Sequence, residues 1–312
     1  MLQSRPVNNP SNMPTKRRHG RRIDGVLLLD KPSGISSNAA LQRARRLLEA
    51  ERGGHTGTLD PMASGLLALC FGEATKFSSE LLDAGKRYAA RLRLGERTST
   101  GDAEGEVLER RPVSVTWEQL ERALERFRGE ITQVPPMFSA LKREGRPLYE
   151  YARKGITIER APRKVTVSAL KLEDLAGDVA AVSISCSKGT YVRTLAEDIG
   201  EALGCGAHLV GLVRTAIGAF GIERAHRLQE LEELEVSERS GLLLAVDVLV
   251  QNLPPMQLPD CLEGAFLHGQ SVEPGQGPAG QVRVYGTGGR FLGLGFADGA
   301  GGLRPKRLLS AP

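Results

Sequence analysis

The sequence predicts an α+β protein in two unequal parts, a large region over residues 23–250 and a small all-β unit over 251–312. Three observations carry this. Continuous apolar runs at Val26-Leu27-Leu28-Leu29 and Leu66 to Phe71 have the texture of buried strands. Between such runs, apolar residues recur at helical spacing on three stretches. From Gln251-Asn252-Leu253-Pro254-Pro255 onward the texture changes to short strands punctuated by glycine.

In chain order, residues 1–22 carry Arg5, Lys16, Arg17, Arg18, Arg21 and Arg22 and no acid, and predict a disordered basic arm. A buried strand then ends at Asp30-Lys31-Pro32. Ser36 or Ser37 caps a helix with Leu41, Ala44, Leu47 and Leu48 on one face. Gly53-Gly54-His55-Thr56-Gly57-Thr58-Leu59-Asp60-Pro61 follows as a glycine-rich loop before the Leu66–Phe71 strand. Pro61 restricts Asp60 to an extended conformation, so the carboxylate is held in one direction. From the residues alone two readings stay open: a turn aspartate capping its own loop, or an aimed, partly desolvated nucleophile.

Glu73-Ala74-Thr75-Lys76 starts a helix, Lys86 to Leu94 is a strand carrying Tyr88, and Gly95 to Gly105 is a polar loop. Thr116-Trp117-Glu118-Gln119 has the form of a capping box, and its helix places Leu120, Leu124, Phe127 and Ile131 on one stripe until Pro135-Pro136 ends it. Residues 142–164 hold eight basic residues against three glutamates, with Tyr149 and Tyr151 among them. That mixture suits phosphate neutralisation with base stacking. Val182, Ile184 and Cys186 alternate as a half-buried strand, Val192 to Leu203 is a helix, and a strand containing Leu212 follows. Residues 228–238 form an acidic, solvated helix. Near the end, a short helix at Cys261 to Leu267 precedes strands at Val282 to Tyr285 and Phe291 to Phe296, read as a small barrel or sandwich.

Composition narrows the class. Of 312 residues, 40% are apolar and 25% charged, as in a soluble globular protein. No run of about 18 apolar residues exists to span a membrane, and no secretory signal is visible. Cys70, Cys186, Cys205 and Cys261 are widely spaced, which predicts four buried, reduced thiols in a cytoplasmic protein. The net charge of +5 points to a polyanionic partner. Six of the 42 basic residues lie in the arm, leaving 36 against 37 acids, so any polyanion footprint on the body comes from local clustering. The five histidines are scattered, and neither a metal-spaced cluster nor a P-loop is present.

The segment Gly54 to Leu67, Gly-His-Thr-Gly-Thr-Leu-Asp-Pro-Met-Ala-Ser-Gly-Leu-Leu, resembles the signature loop of TruB-type tRNA pseudouridine synthases. Lys188-Gly189-Thr190-Tyr191-Val192-Arg193-Thr194 and Gly204-Cys205-Gly206-Ala207-His208 are similar to later motifs of that family, in the same order. Thr58 and Met62 fall where the family tolerates variation. The resemblance implies a pseudouridine-synthase fold with a central mixed, largely antiparallel sheet flanked by helices, plus a C-terminal PUA-like β-barrel that binds RNA. It implies isomerisation of uridine 55 in the T loop of tRNA, with an insertion at about 136–164 closing over the T-arm stem-loop. Asp60 is then the catalytic residue, His55 holds the flipped nucleotide, Tyr88 stacks on the uracil, and Tyr191 and Leu212 line the pocket. Arg193 pairs with Asp60 and lowers its pKa, Lys31 supports a phosphate or the loop, and Gly54 supports the loop. Because the reaction gains and loses no atom, no metal or cofactor is expected. The partner is tRNA, there is no membrane association, and the chain is a monomer.

Two rival readings are an RNA-binding or tRNA-folding chaperone in which isomerisation is secondary, and a retaining N-glycoside hydrolase. The latter needs a second, acidic carboxyl about 5 Å from Asp60, and the matched motifs contain none.

Overall fold

A computed structural model of the chain describes residues 20–310. Most of the basic arm therefore lies outside the described residues. Arg21, at its end, is paired: its N–H donates to the Glu49 carbonyl and its own carbonyl accepts from the Glu51 N–H.

The larger region is built on a ten-stranded sheet. Its strands run in the order His226–Arg227, Gly25–Lys31, Ser64–Phe71, Ala207–Ile217, Lys86–Leu94, Val179–Cys186, Arg163–Ala176 and Gly129–Gln133. Two short strands, Gly53–Thr56 and Phe220–Gly221, join it off this path. Gly25–Lys31 with His226–Arg227 and Ser64–Phe71 with Ala207–Ile217 are parallel; the other pairs are antiparallel. The expected mixed, largely antiparallel sheet is present.

The apolar runs are continuous because both faces of the sheet are covered. Successive side chains of a strand point to opposite faces. Leu27, Leu29, Leu67 and Leu69 accordingly pack under the Ser37–Leu47 helix with Ala40, Leu41 and Ala44. Val26, Leu28, Leu66, Ala68 and Cys70 pack on the other side with Phe77, Leu81, Phe220 and Leu249. Further along, Leu92, Val182, Ile184 and Leu209 meet Leu120 and Leu124 of the Trp117–Glu125 helix and Leu195 and Ile199 of the Val192–Ala202 helix. Each such fully buried leucine contributes about 2 kcal/mol of burial free energy.

Several expectations are corrected. The capping box at Thr116 and Gln119 is present, but the helix stops at Glu125. Gly129 at φ 87° turns the chain, and the β-branched pair Ile131-Thr132 enters a strand in which Ile131 faces Val165. Pro135 and Pro136 thus follow a strand. Gly53 to Thr56 is a short strand paired with Cys70 and its neighbours rather than a loop. Gly72–Phe77 is a 3-10 segment, and the α-helix proper is Ser78–Leu82. Cys261 is exposed, whereas the other three thiols are buried.

The C-terminal unit is a four-stranded sheet in the order Pro255–Gln257, Gly280–Tyr285, Phe291–Ala297, Leu303–Leu308. Its outer strands are not paired with each other, so the barrel expected from the sequence is not closed. The Asp260–Leu267 helix buries Phe266 against Val282, Val284 and Leu292. The unit is fastened to the larger region by the Phe77 and Phe291 rings, 5.4 Å apart, and by the Tyr285 hydroxyl donating to Asp247 at 2.7 Å.

Candidate active site

A cleft of about 600 Å³ opens where the Gly57–Asp60 turn, the Lys86–Leu94 and Ala207–Ile217 strands and the start of the Val192–Ala202 helix converge. Asp60, Tyr88, Tyr191, Arg193 and Leu212 all line it. Five residues from four separate stretches of sequence therefore share one cavity.

Asp60 is aimed by its neighbours. Its carbonyl accepts from the Ala63 N–H at 3.1 Å, closing a turn through Pro61. The preceding residue, Leu59, is 3% exposed and is held at both backbone groups by Ser37. Gly57 needs its freedom here, at φ 81°. Gly54 does not: its backbone is ordinary strand, and a Cβ there would meet no atom within 4 Å. Gly54 also lies outside the cleft, along a separate surface hollow with Arg45 and Arg52.

Arg193 is 4% exposed, in the first turn of its helix, where the helix dipole disfavours a cation. It is compensated by two acids. Its Nε lies 2.9 Å from Asp60 and 3.5 Å from Asp102. Its other nitrogens donate to the Thr100 carbonyl at 3.0 Å and the Phe138 carbonyl at 2.6 Å. Every edge of the guanidinium is engaged, so its position is fixed. The sequence leads one to expect Arg193 to lower the Asp60 pKa. Its pull is indeed downward, but burial outweighs it and Asp102 adds to burial, so the Asp60 carboxyl sits above its ordinary 3.8. About 36% of the Asp60 side chain still faces the cleft.

Asp102 had no signal in the sequence, being one acid in a polar glycine-containing stretch. It is 3% exposed and accepts from the Thr100 hydroxyl at 2.5 Å and the Glu104 N–H at 3.1 Å. It supplies the second carboxylate that the matched motifs lacked. Locked behind Arg193 and absent from the cleft wall, it cannot hand a proton to a leaving group, as a retaining hydrolase requires.

Tyr191 caps the same helix. Its carbonyl and N–H are clasped by the buried Gln133 side chain at 3.2 and 3.1 Å, and the Arg163 guanidinium lies 4.7 Å over its ring. Tyr88 stands on the neighbouring strand, opposite Arg214. Leu212, 8% exposed, forms apolar wall.

Besides Gly54, two predicted residues, His55 and Lys31, are outside the cleft lining. His55 lies on the Gly53–Thr56 strand opposite Leu69. Burial, helped by the charge of Arg214, pushes its pKa down, so it is neutral at physiological pH. Lys31 is fully buried, and its ammonium donates to the Pro32 and Ile35 carbonyls at 2.9 and 2.7 Å. It cannot reach a phosphate. It ties down the Pro32–Ile35 segment, with a pKa pushed down to about 8, chiefly by burial.

The cationic stretch forms a hairpin, Lys142–Arg143 with Arg146–Pro147, followed by a helix at Leu148–Ala152. Ser139, Ala140 and Leu141, at its root, line the cleft. Lys142, Arg143, Arg146, Arg153 and Lys154 are exposed, while Lys164 pairs with Glu130. The tyrosines are half-buried: Tyr149 lies under Arg153, and the Tyr151 hydroxyl donates to the Arg143 carbonyl. The basic side chains are thus presented outward, but the two rings are engaged within the insertion.

Comparison with known proteins bears on this geometry. Residues 45–192 match the model of the TruB family pseudouridylate synthase N-terminal domain. Residues 193–256 match the tRNA pseudouridylate synthase B C-terminal domain, and residues 254–309 the pseudouridine synthase II TruB C-terminal model. Over 294 residues the chain is 58% identical to a protein of Aromatoleum aromaticum named tRNA pseudouridine synthase B, covering 94% of this chain and 95% of that one. A protein of the same name from Chromobacterium violaceum is 56% identical over 301 residues, covering 96% and 98%. Among solved structures, a Cbf5-Nop10-Gar1 complex contains a chain that superposes with a TM-score of 0.69 at 26% identity, covering 91% of this chain and 84% of that one.

Proposed function

The chain belongs to the TruB family of pseudouridylate synthases, and from that premise we propose that it converts uridine 55 in the T loop of tRNA to pseudouridine. The observation that carries this reading is the aimed Asp60 carboxylate on the wall of a cleft that also holds Tyr88, Leu212 and Arg193.

In this reading the nucleotide leaves its stack and enters the cleft, since its reacting atoms are inaccessible in folded RNA. Tyr88 supports the uracil face, while Leu212 and Tyr191 exclude water from its sides. Asp60 attacks the nucleoside or stabilises charge on the ribose as the N-glycosidic bond breaks. Arg193 holds the carboxylate in its productive direction. His55 keeps the extruded conformation from behind the signature turn, and Lys31 and Gly54 support that turn. Isomerisation conserves every atom, so the residues of the chain suffice without a metal or cofactor.

The exposed cations of residues 142–154 fit the phosphates of the T-arm stem-loop. The chain acts as a monomer in the cytoplasm. Among the described residues no helix is long and apolar enough to cross a membrane. The experiment is to incubate the purified protein with an unmodified T-arm stem-loop and map pseudouridine at nucleotide resolution. Modification at the position equivalent to 55 supports the proposal; release of free uracil points instead to hydrolysis.

A further inference from the structure

Among the described residues Arg214 is the largest fully buried side chain, at 1% exposure, and it borders the cleft. It stands at a junction of three strands, opposite Tyr88 on one side and Gly65 on the other. Its Nε donates to the Leu66 carbonyl at 2.7 Å, and one terminal nitrogen to the Gly57 carbonyl at 3.2 Å. Arg193, its neighbour in the cleft, is matched by Asp60 and Asp102. Among the described residues, no carboxylate lies within 4.0 Å of Arg214. Its surroundings are cationic instead: Lys31 and Lys86 are both buried, and burial together with the Arg214 charge helps push both down to about 8.

A guanidinium removed from water without a counter-charge is costly. Preorganised charge of this kind is useful where the opposite charge forms during a reaction. Breaking the C1′–N1 bond of uridine sends its electron pair to N1, where it spreads over the two carbonyl oxygens of the ring. The detached base stays anionic until C5 bonds to C1′. The proton then leaving C5 replaces the one N1 requires, and nothing is gained or lost overall. Tyr88, the register partner of Arg214, is the ring placed to stack on that base.

Resting on the pseudouridine-synthase reading, we propose that Arg214 is a further catalytic residue, whose guanidinium bears the negative charge of the detached uracil. The cleft then has two poles: Asp60, held by Arg193 and backed by Asp102, at one, and Arg214, which serves the base, at the other.

The test compares Arg214→Lys, Arg214→Gln and Arg214→Ala in single-turnover reactions on a T-arm stem-loop, with RNA affinity and melting temperature measured alongside. Arg214→Gln is expected to slow the reaction by about 10²–10³-fold while affinity changes little, as for loss of one charge-stabilising donor. Arg214→Lys keeps the charge and is slowed less. Methylguanidinium restores rate to Arg214→Ala, whereas neutral methylurea, of similar shape, does not. Equal rates for the Lys and Gln variants, equal rescue by both additives, rescue by neither, or failure of all three variants to fold would each assign Arg214 to packing and overturn the inference. Should the wild-type protein form no pseudouridine, the family-based reading fails first, and separately.

Discussion

Ser37 holds Leu59 by both backbone groups: its hydroxyl accepts from the Leu59 N–H at 2.8 Å and donates to the Leu59 carbonyl at 2.9 Å. One side chain in the first turn of the Ser37–Leu47 helix thereby fixes the residue before Asp60. Ser37→Ala leaves a buried donor and a buried acceptor unpaired. The expected effect is about 2 kcal/mol of lost stability in denaturant melts. The looser carboxylate lowers the single-turnover rate roughly 10–100-fold, since small misplacements of a reacting group are costly. RNA affinity is unchanged.

Removing the guanidinium that faces Asp60 moves the pH profile in a definite direction. Arg193 is the largest influence opposing the burial that raises the Asp60 pKa. In Arg193→Gln that opposition is gone, so the carboxyl rises further. Ionised Asp60 is required, so the acid limb of the single-turnover profile shifts to higher pH. Stability falls by about 2–3 kcal/mol because Asp102 is left buried and unpaired; the loss is at the low end because Asp60 reaches solvent. An unmoved acid limb would contradict the assignment.

Lys31 sets a second pH dependence. Its folded pKa is about 8 and its ordinary value 10.5. Between those values the unfolded chain binds more protons than the folded one, so this residue makes stability rise with pH across that window. Lys31→Met removes the contribution, and the difference in unfolding free energy between wild type and variant should change with pH only from about 8 upward. Urea melts at intervals across pH 7–11 check this.

The basic insertion is predicted to act through phosphates. Replacing Lys142, Arg143 and Arg146 by alanine should weaken stem-loop binding while leaving the single-turnover rate at saturating protein unchanged. The slope of log affinity against log salt should fall by roughly 0.7–0.9 for each phosphate no longer neutralised. A change in rate without a change in slope would place these residues elsewhere in the mechanism.

What was legible in the sequence was local. The runs around Val26 and Leu66 show their burial directly, and Asp60, Tyr191, Arg193 and Leu212 lie in or beside recognisable motifs, while Tyr88 is picked out only by the family resemblance. The long strand Arg163–Ala176 is not legible in the sequence: its first two residues close the cationic stretch 142–164, and the rest carries no assignment. Its apolar residues switch phase, from Val165 and Val167 to Leu170 and Leu172, because register shifts interrupt its pairing with Val179–Cys186. That breaks the two-residue period on which strand recognition depends. Ile131 fitted a helical stripe by spacing, yet tertiary pairing with Val165 claimed it for a strand. Asp102, Gln133 and the pairing role of Ser37 have no local signature, because their partners are distant in the chain. Arg214 carried only the mark of a basic residue in an apolar strand.

The most direct test of the central claim is single-turnover pseudouridine formation at position 55 of a full tRNA transcript, comparing wild type with Asp60→Asn. The account predicts that wild type modifies that uridine, and that the asparagine variant binds the transcript with near-wild-type affinity yet forms no detectable pseudouridine. Modification by the Asp60→Asn variant at the wild-type rate would contradict it.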